Sequence, residues 1–252
     1  MTEFNGKRVL VTGSSRGIGL AIARLFVSRG GRVALNGRDA ARLQAAASEL
    51  GLDNTAIVIG DVSEAEQASE VTAQAAAALG GLDIVVCNVG SGASVPPGLE
   101  TPQEWQRVFA LNLWSATNIV GAATPILAQT GGAIVCVSSI CGVQTIPGAP
   151  VTYSVAKAAL NAFVAGAARP LGAKGIRINA VAPGNILFDG SVWQRKLAED
   201  AAAVQAMLDR DVPLRRLGTP EEVAELVAYL VSARAGFATG QIWTLDGGQM
   251  RS

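Results

Sequence analysis

Val9-Leu10-Val11-Thr12-Gly13-Ser14-Ser15-Arg16-Gly17-Ile18-Gly19 runs from a short apolar strand into a glycine-rich turn. The alanine- and leucine-rich pattern from Leu20 to Ser28 then reads as a helix. A glycine turn between strand and helix lets backbone N–H groups approach a pyrophosphate at the positive helix end. The spacing is G-x-x-x-G-x-G, not the commoner G-x-G-x-x-G. Glycines also serve ordinary tight turns, so the position of this one, directly after an opening strand, carries the inference. The pattern predicts a strand over 7–12 and a nucleotide-holding turn of Gly13, Ser15, Arg16, Gly17, Ile18 and Gly19.

Working outward, Arg32 to Leu35 reads as a second strand ending in Asn36-Gly37-Arg38, and Asp39 as the cap of a helix through Leu50. A third strand over Ala56–Ile59 ends in Gly60-Asp61-Val62, and a helix from Glu64 runs to Leu79. Leu82 to Cys87 is a fourth strand, opening into Asn88-Val89-Gly90-Ser91-Gly92. Thr101-Pro102-Gln103-Glu104 predicts a capping box, with Asn112 deep in the apolar helix that follows. Ala133 to Val137 ends in Ser138-Ser139, and Ile176 to Val181 ends in Ala182-Pro183-Gly184. Asn185 to Asp211, with Phe188 and Trp193, reads as a lid, and Thr219-Pro220-Glu221-Glu222 opens a capped helix to Val231. Gln241 to Leu245 is the last strand. Strands and helices alternate about seven times without a linker, the pattern of one α/β domain over residues 1–252 with a doubly wound parallel sheet.

With 252 residues, half of them apolar, the chain can bury a large core, and its formal charge is zero. No basic patch argues for nucleic acid, and no apolar run is long enough for a membrane span, so a cytoplasmic protein is expected. The chain contains no histidine, which excludes a Ser-His-Asp triad and any His-ligated metal; no metal is expected. Cys87, Cys136 and Cys141 lie in apolar runs and read as small buried hydrophobes.

Acid–base chemistry must then come from elsewhere, and Tyr153-Ser154-Val155-Ala156-Lys157 offers it. A tyrosine and a lysine four apart share one helix face, and an ammonium beside a phenol is expected to lower its pKa from about 10. The same spacing is common on solvated helices. Asp61 could accept from an adenine amino group or cap the helix after it. Asn112 is either a satisfied core amide or part of a kinked site holding a water. At the end of the second strand, where an acid would select the ribose of NAD, the chain has Asn36 and then Arg38; with Arg16, these suit a 2′-phosphate and NADP(H) over NAD(H).

Taken in order, Thr12-Gly13-x3-Gly17-Ile18-Gly19, Asp61-Val62, Asn88-Val89-Gly90, Asn112, Ser138-Ser139, Tyr153-x3-Lys157, Pro183-Gly184 and Asp246-Gly247-Gly248 resemble the short-chain dehydrogenase/reductases. The resemblance covers nearly the whole chain and implies a Rossmann-type domain. It implies that Tyr153 is the acid/base, that Ser139 holds the substrate oxygen, that Lys157 tunes Tyr153 and grips the nicotinamide ribose, and that Asn112 holds a proton-supplying water. It implies that Asn88, Gly90, Pro183, Gly184 and Ile186 line the cofactor channel, with Val62 supporting the adenine. On the substrate side it places Ser139, Cys141, Gln144, Tyr153, Phe188 and Trp193. Within the family the nearest resemblance is to the 3-oxoacyl-[acyl-carrier-protein] reductases, which implies a small-molecule carbonyl substrate, either a 3-oxoacyl thioester or an apolar or cyclic ketone. Departures are Val89 where alanine is usual, Leu187-Phe188 where a threonine is common, and a longer Ser139-to-Tyr153 gap that leaves Ser138 as the alternative serine. The competing reading is a silent dinucleotide-binding sensor. The family's homotetramers, or a homodimer, would use the Asn112–Trp114 and Tyr153 helices at one contact. A second contact would use the Pro220 helix with Leu226, Val227 and Leu230, and Trp243 of the last strand.

Overall fold

A computed structural model describes residues 3–51 and 57–250 of the chain. Seven strands form one parallel sheet: β1 (Arg8–Val11), β2 (Arg32–Gly37), β3 (Ile57–Ile59), β4 (Ile84–Cys87), β5 (Gly132–Val137), β6 (Ile176–Pro183) and β7 (Ile242–Leu245). Their order is β3-β2-β1-β4-β5-β6-β7, with every neighbouring pair parallel. The start of the third strand at Ala56 lies outside the described residues. The second and sixth strands run two residues further than the apolar pattern suggests, because Asn36-Gly37 and Ala182-Pro183 stay in register with β3 and β7.

Alternation sorts the strand side chains onto two layers. Val9, Val11, Val33, Leu35, Val135 and Val181 face α1 (Gly17–Ser28), α2 (Ala40–Leu50) and α8 (Pro220–Val231). Leu10, Ala34, Val85, Ile134, Cys136 and Ile178 face α3 (Ala65–Leu79), α5 (Ser115–Leu127) and α6 (Val151–Gly172). Each fully buried leucine, such as Leu10 or Leu160, contributes roughly 2 kcal/mol from area removed from water. Val227 and Leu230 of α8 are completely buried in the first layer, so the interface expected of them is filled by the protein's own sheet; Tyr229 stays exposed on the same helix.

Helix starts follow the cap residues. Asp39 accepts from Arg42 N–H, and Thr219 and Glu222 form a complete capping box. At α4 (Pro102–Phe109) only half of the expected box forms. The Thr101 hydroxyl accepts from Glu104 N–H, but the Glu104 carboxylate turns to Arg107 and to the Ser94 hydroxyl. A guanidinium with two donors competes better for the carboxylate than a single backbone N–H.

Between α4 and α5 the chain makes one π turn, Ala110–Trp114. The Ser115 N–H donates to Ala110 O, and its hydroxyl takes Leu111 O at 2.7 Å. The remaining long helix, α7 (Val192–Asp211), breaks at Asp200, whose side chain recaps the second half by accepting from Ala203 N–H. Val204, Leu208 and Val212 pack there as a small core of their own. Among the described residues no helix is long and apolar enough to cross a membrane.

Candidate active site

The sheet order reverses between β1 and β4, and in open parallel sheets that crevice, at the carboxyl ends of the strands, is where ligands bind. A cavity of about 880 Å³ opens there. Its walls come from the turn after β1 (Gly13, Arg16, Ile18), the loop after β4 (Asn88, Gly90), the end of β5 (Ser138, Ser139, Cys141), α6 (Tyr153, Lys157) and the segment after β6 (Pro183, Gly184, Ile186). Residues from five sequence-distant segments thus meet in one place.

Lys157 is 3 % exposed and donates to the Val137 carbonyl at 2.8 Å. Burial pulls its pKa down to about 8. Its ammonium lies 6.0 Å from the Tyr153 ring centroid, so the helix does bring the pair to one face. The expected fall in the Tyr153 pKa is not found. Low-polarity surroundings push the phenol up to about 12, while hydrogen bonding with the Ser139 hydroxyl offsets part of the rise. Removing the phenolate from water outweighs the hydrogen bond with Ser139.

The two serines are separated by their partners. The Ser138 hydroxyl donates to Asn161 Oδ1 on α6 at 2.6 Å. The Ser139 hydroxyl accepts from Cys141 N–H at 3.2 Å and neighbours Tyr153. Cys141, read from sequence as a buried hydrophobe, is half-buried and on the cavity wall; Cys87 and Cys136 are buried, in register on β4 and β5.

Asn112 sits in the π turn and is 1 % exposed. Its amide donates to Ser91 O and Val108 O and accepts from Ser91 N–H, so the side chain fastens the loop after β4. Gly90 lies between it and Lys157. A β-carbon at that position would stand 2.9 Å from Asn112 Oδ1 and 3.0 Å from Lys157 Nζ, so only glycine lets the two groups approach. Asn88 donates to Thr12 O and Gly13 O, tying the glycine turn to β4.

The far end of the predicted cofactor track differs from expectation. Asn36 is fully buried and its amide donates to Val58 O and Gly60 O, so it braces β3 and does not face the cavity. Arg38 is 71 % exposed and pairs with Asp61 at 3.1 Å. Asp61 also accepts from Ser63 N–H and the Ser63 hydroxyl, a turn ahead of the helix rather than its cap, and these partners hold its carboxyl below the usual range despite partial burial. Val62 is buried in the core. Arg16 points to the lid, toward Gly190 O at 3.5 Å. Phe188 leans on the glycine turn, within 2.6 Å of where a Gly17 β-carbon would stand, and Gly17 has φ 56°. The Phe188 N–H donates to the Ser191 hydroxyl at 3.3 Å, and both residues line the cavity.

A dinucleotide fits this wall. The first N–H groups of α1 receive no side-chain cap and no acid lies in the first turn, so the positive helix end opens toward the cavity beside Arg16. Gln144, Phe188 and Trp193 line the other half. No motif marks the 145–150 loop, Met207 or Arg210, which the fold brings to the same cavity together with Ser91, Lys196 and Gln249.

Comparison with known proteins agrees with the geometry. A sequence model for a family described as enoyl-(acyl carrier protein) reductase matches residues 13–250. The chain is 35 % identical over 247 residues to the 3-oxoacyl-[acyl-carrier-protein] reductase FabG of Chlamydia muridarum, covering 96 % of each chain. It is 34 % identical over 249 residues to the oxidoreductase asL5 of Sarocladium schorii, covering 98 % of this chain and 96 % of the relative. The crystal structure of L-sorbose reductase from Gluconobacter frateurii, complexed with NADPH and L-sorbose, superposes with a TM-score of 0.90 at 32 % identity and complete coverage of both chains. With the Tyr153–Lys157 helix set against a glycine turn at the sheet's switch point, the chain belongs to the short-chain dehydrogenase/reductase family of oxidoreductases.

Proposed function

We propose that the protein is an NADP(H)-dependent carbonyl reductase that interconverts a ketone and a secondary alcohol. The observation that carries this reading is the convergence of Ser139, Tyr153 and Lys157 on one cavity with an uncapped helix N-terminus on its opposite wall. When bound, the nicotinamide supplies or accepts the hydride equivalent. Everything else falls to the chain. Tyr153, protonated up to about pH 12, is the proton donor to the carbonyl oxygen. Ser139 holds that oxygen and stabilises the charge that develops on it. Lys157 supplies positive charge beneath the phenol and donors for ribose hydroxyls. Asn112 keeps the Ser91 loop and Gly90 in place beside them.

The NADP(H) preference rests on Arg38 and Arg16 and on the lack of an acid at the end of β2. The similarity to an NADPH-complexed reductase supports it. We also read the enzyme as a cytoplasmic homo-oligomer. Trp114, Val151 and Val155 are exposed on the α5–α6 side, and Tyr229 and Phe237 on the α8 side, which suits two contacts and hence a tetramer.

The test is Tyr153→Phe assayed with NADPH over a ketone panel. Turnover is expected to fall by roughly 10²–10⁴-fold with NADPH affinity kept. Ketone reduction at the parent rate would remove Tyr153 from the chemistry.

A further inference from the structure

Beyond Tyr153 the cavity continues between residues 144–150 and the inner side of α7, where Ile146, Phe188, Val192 and Met207 make it apolar. Among the described residues its charged lining is one-sided: Arg16, Lys157, Lys196 and Arg210 are cationic, and Asp211 is the one acid. Asp211 receives both Nε and an Nη of Arg210, at 2.9 and 2.6 Å. Lys157 gives one donor to the Val137 carbonyl and Arg16 one to Gly190 O, and the proposed reaction assigns the rest of both to the phenol and the cofactor. Lys196 differs. Its ammonium sits 4.6 Å from the Trp193 ring centroid, and among the described residues no carboxylate lies within ion-pair distance of it. An ammonium over an indole face is positioned by the ring while its N–H donors remain open to a ligand.

We infer that Lys196 and Trp193 read the far end of the substrate, and that the ketone carries a carboxylate at the end remote from its carbonyl, joined by an apolar body that lies along Trp193 and Phe188. The inference rests on the proposed carbonyl reduction. The indole covers the apolar body from one side, and Lys196 meets the carboxylate with a charge-assisted hydrogen bond. A neutral ketone of the same length would fill the apolar stretch but leave the Lys196 ammonium without an anionic partner.

The experiment compares 5-oxo-5-phenylpentanoate with its methyl ester, in turnover with NADPH and in calorimetric binding to the NADP-loaded protein. The parent is expected to favour the acid over the ester by about tenfold in kcat/KM, mainly through KM. That ratio, taken within each variant, should fall toward one in Lys196→Gln, invert in Lys196→Glu and survive in Lys196→Arg. Equal values for acid and ester in the parent, or an unchanged ratio in Lys196→Gln, would overturn the inference. So would a Lys196→Gln variant whose only defect is weaker NADPH binding, since that assigns the lysine to the cofactor. Calorimetry keeps the two readings apart: an acid preference in binding with no turnover of either ketone sinks the proposed reaction and leaves the anion-reading lid standing.

Discussion

The Lys157 ammonium donates to the carbonyl of Val137, the last residue of β5, at 2.8 Å. The lysine proposed to serve the chemistry is therefore also a strut between α6 and the strand that leads to Ser138 and Ser139. Because it is buried, its pKa falls from 10.5 to about 8.

That burial has a pH signature. Below pH 8 both folded and unfolded chains hold the proton, and the folded state bears the full cost of the buried charge. Between pH 8 and 10.5 the unfolded chain binds more protons, so folding stability from this residue rises with pH. Lys157→Met is expected to lose turnover yet to compare best with the parent in urea denaturation near pH 7. Its relative stability should decline by on the order of 2–3 kcal/mol by pH 10. A gap between the two proteins that stays constant across this range would mean that the ammonium is not desolvated.

Ser138 and Ser139 are adjacent but should fail differently. Ser138→Ala removes the donor to Asn161 Oδ1 and is expected to cost about 1–2 kcal/mol of stability with turnover changed only a few-fold. Ser139→Ala should leave the melting temperature nearly untouched and lower kcat by roughly 10²–10³-fold. Reversed phenotypes would exchange the roles of the two hydroxyls.

The proposed NADP(H) preference assigns the 2′-phosphate to a guanidinium that already has a partner, Asp61. Arg38→Asp should raise the Michaelis constant for NADPH and barely move that for NADH, shifting selectivity by tenfold or more, since a carboxylate repels the 2′-phosphate. Asp61→Asn releases Arg38 from its ion pair and should shift the same ratio toward NADPH. Equal Michaelis constants for both cofactors in the parent would show that neither arginine reads the phosphate.

Gly90 and Gly92 make a matched pair of probes. Alanine at Gly90 meets Asn112 and Lys157 at about 3 Å, and is expected to lower both kcat and stability, the latter by roughly 1–3 kcal/mol. Alanine at Gly92 finds only the Tyr153 ring at 3.9 Å, an ordinary contact, and should be milder on both counts.

Much of the sheet and of the site was legible beforehand because both rest on local patterns. Valine and isoleucine runs marked the strands, glycine marked the turn, and spacing four put Tyr153 and Lys157 on one helix face. What escaped the sequence depended on which of several competing partners a polar group finds in space. Glu104 has a cap within reach and chooses Arg107; Asn36 ends a strand and turns to β3; Asp61 binds Arg38 and Ser63. The phenol's pKa went the other way for a related reason: spacing shows that an ammonium is near, but not how little water surrounds the ring. Met207 and Arg210 could not be placed at the cavity from sequence, since neither lies beside a recognisable motif.

The excursion from Leu187 to Leu217 leaves and rejoins the body at one point. Ile186 bridges Gly218, Leu187 N–H donates to Gly218 O at 2.9 Å, and Gly218 N–H donates to Asn185 O at 2.8 Å. Its apolar residues Val204, Leu208 and Val212 pack with one another. A segment stapled at its base, carrying its own small core and touching the body elsewhere through Phe188 on Gly17 and Leu214 N–H on Gly247 O, behaves as a semi-independent cassette. Evolution or an engineer can swap its length and lining, and with them the molecules admitted, while the strands and the Tyr153 helix beneath keep their alignment.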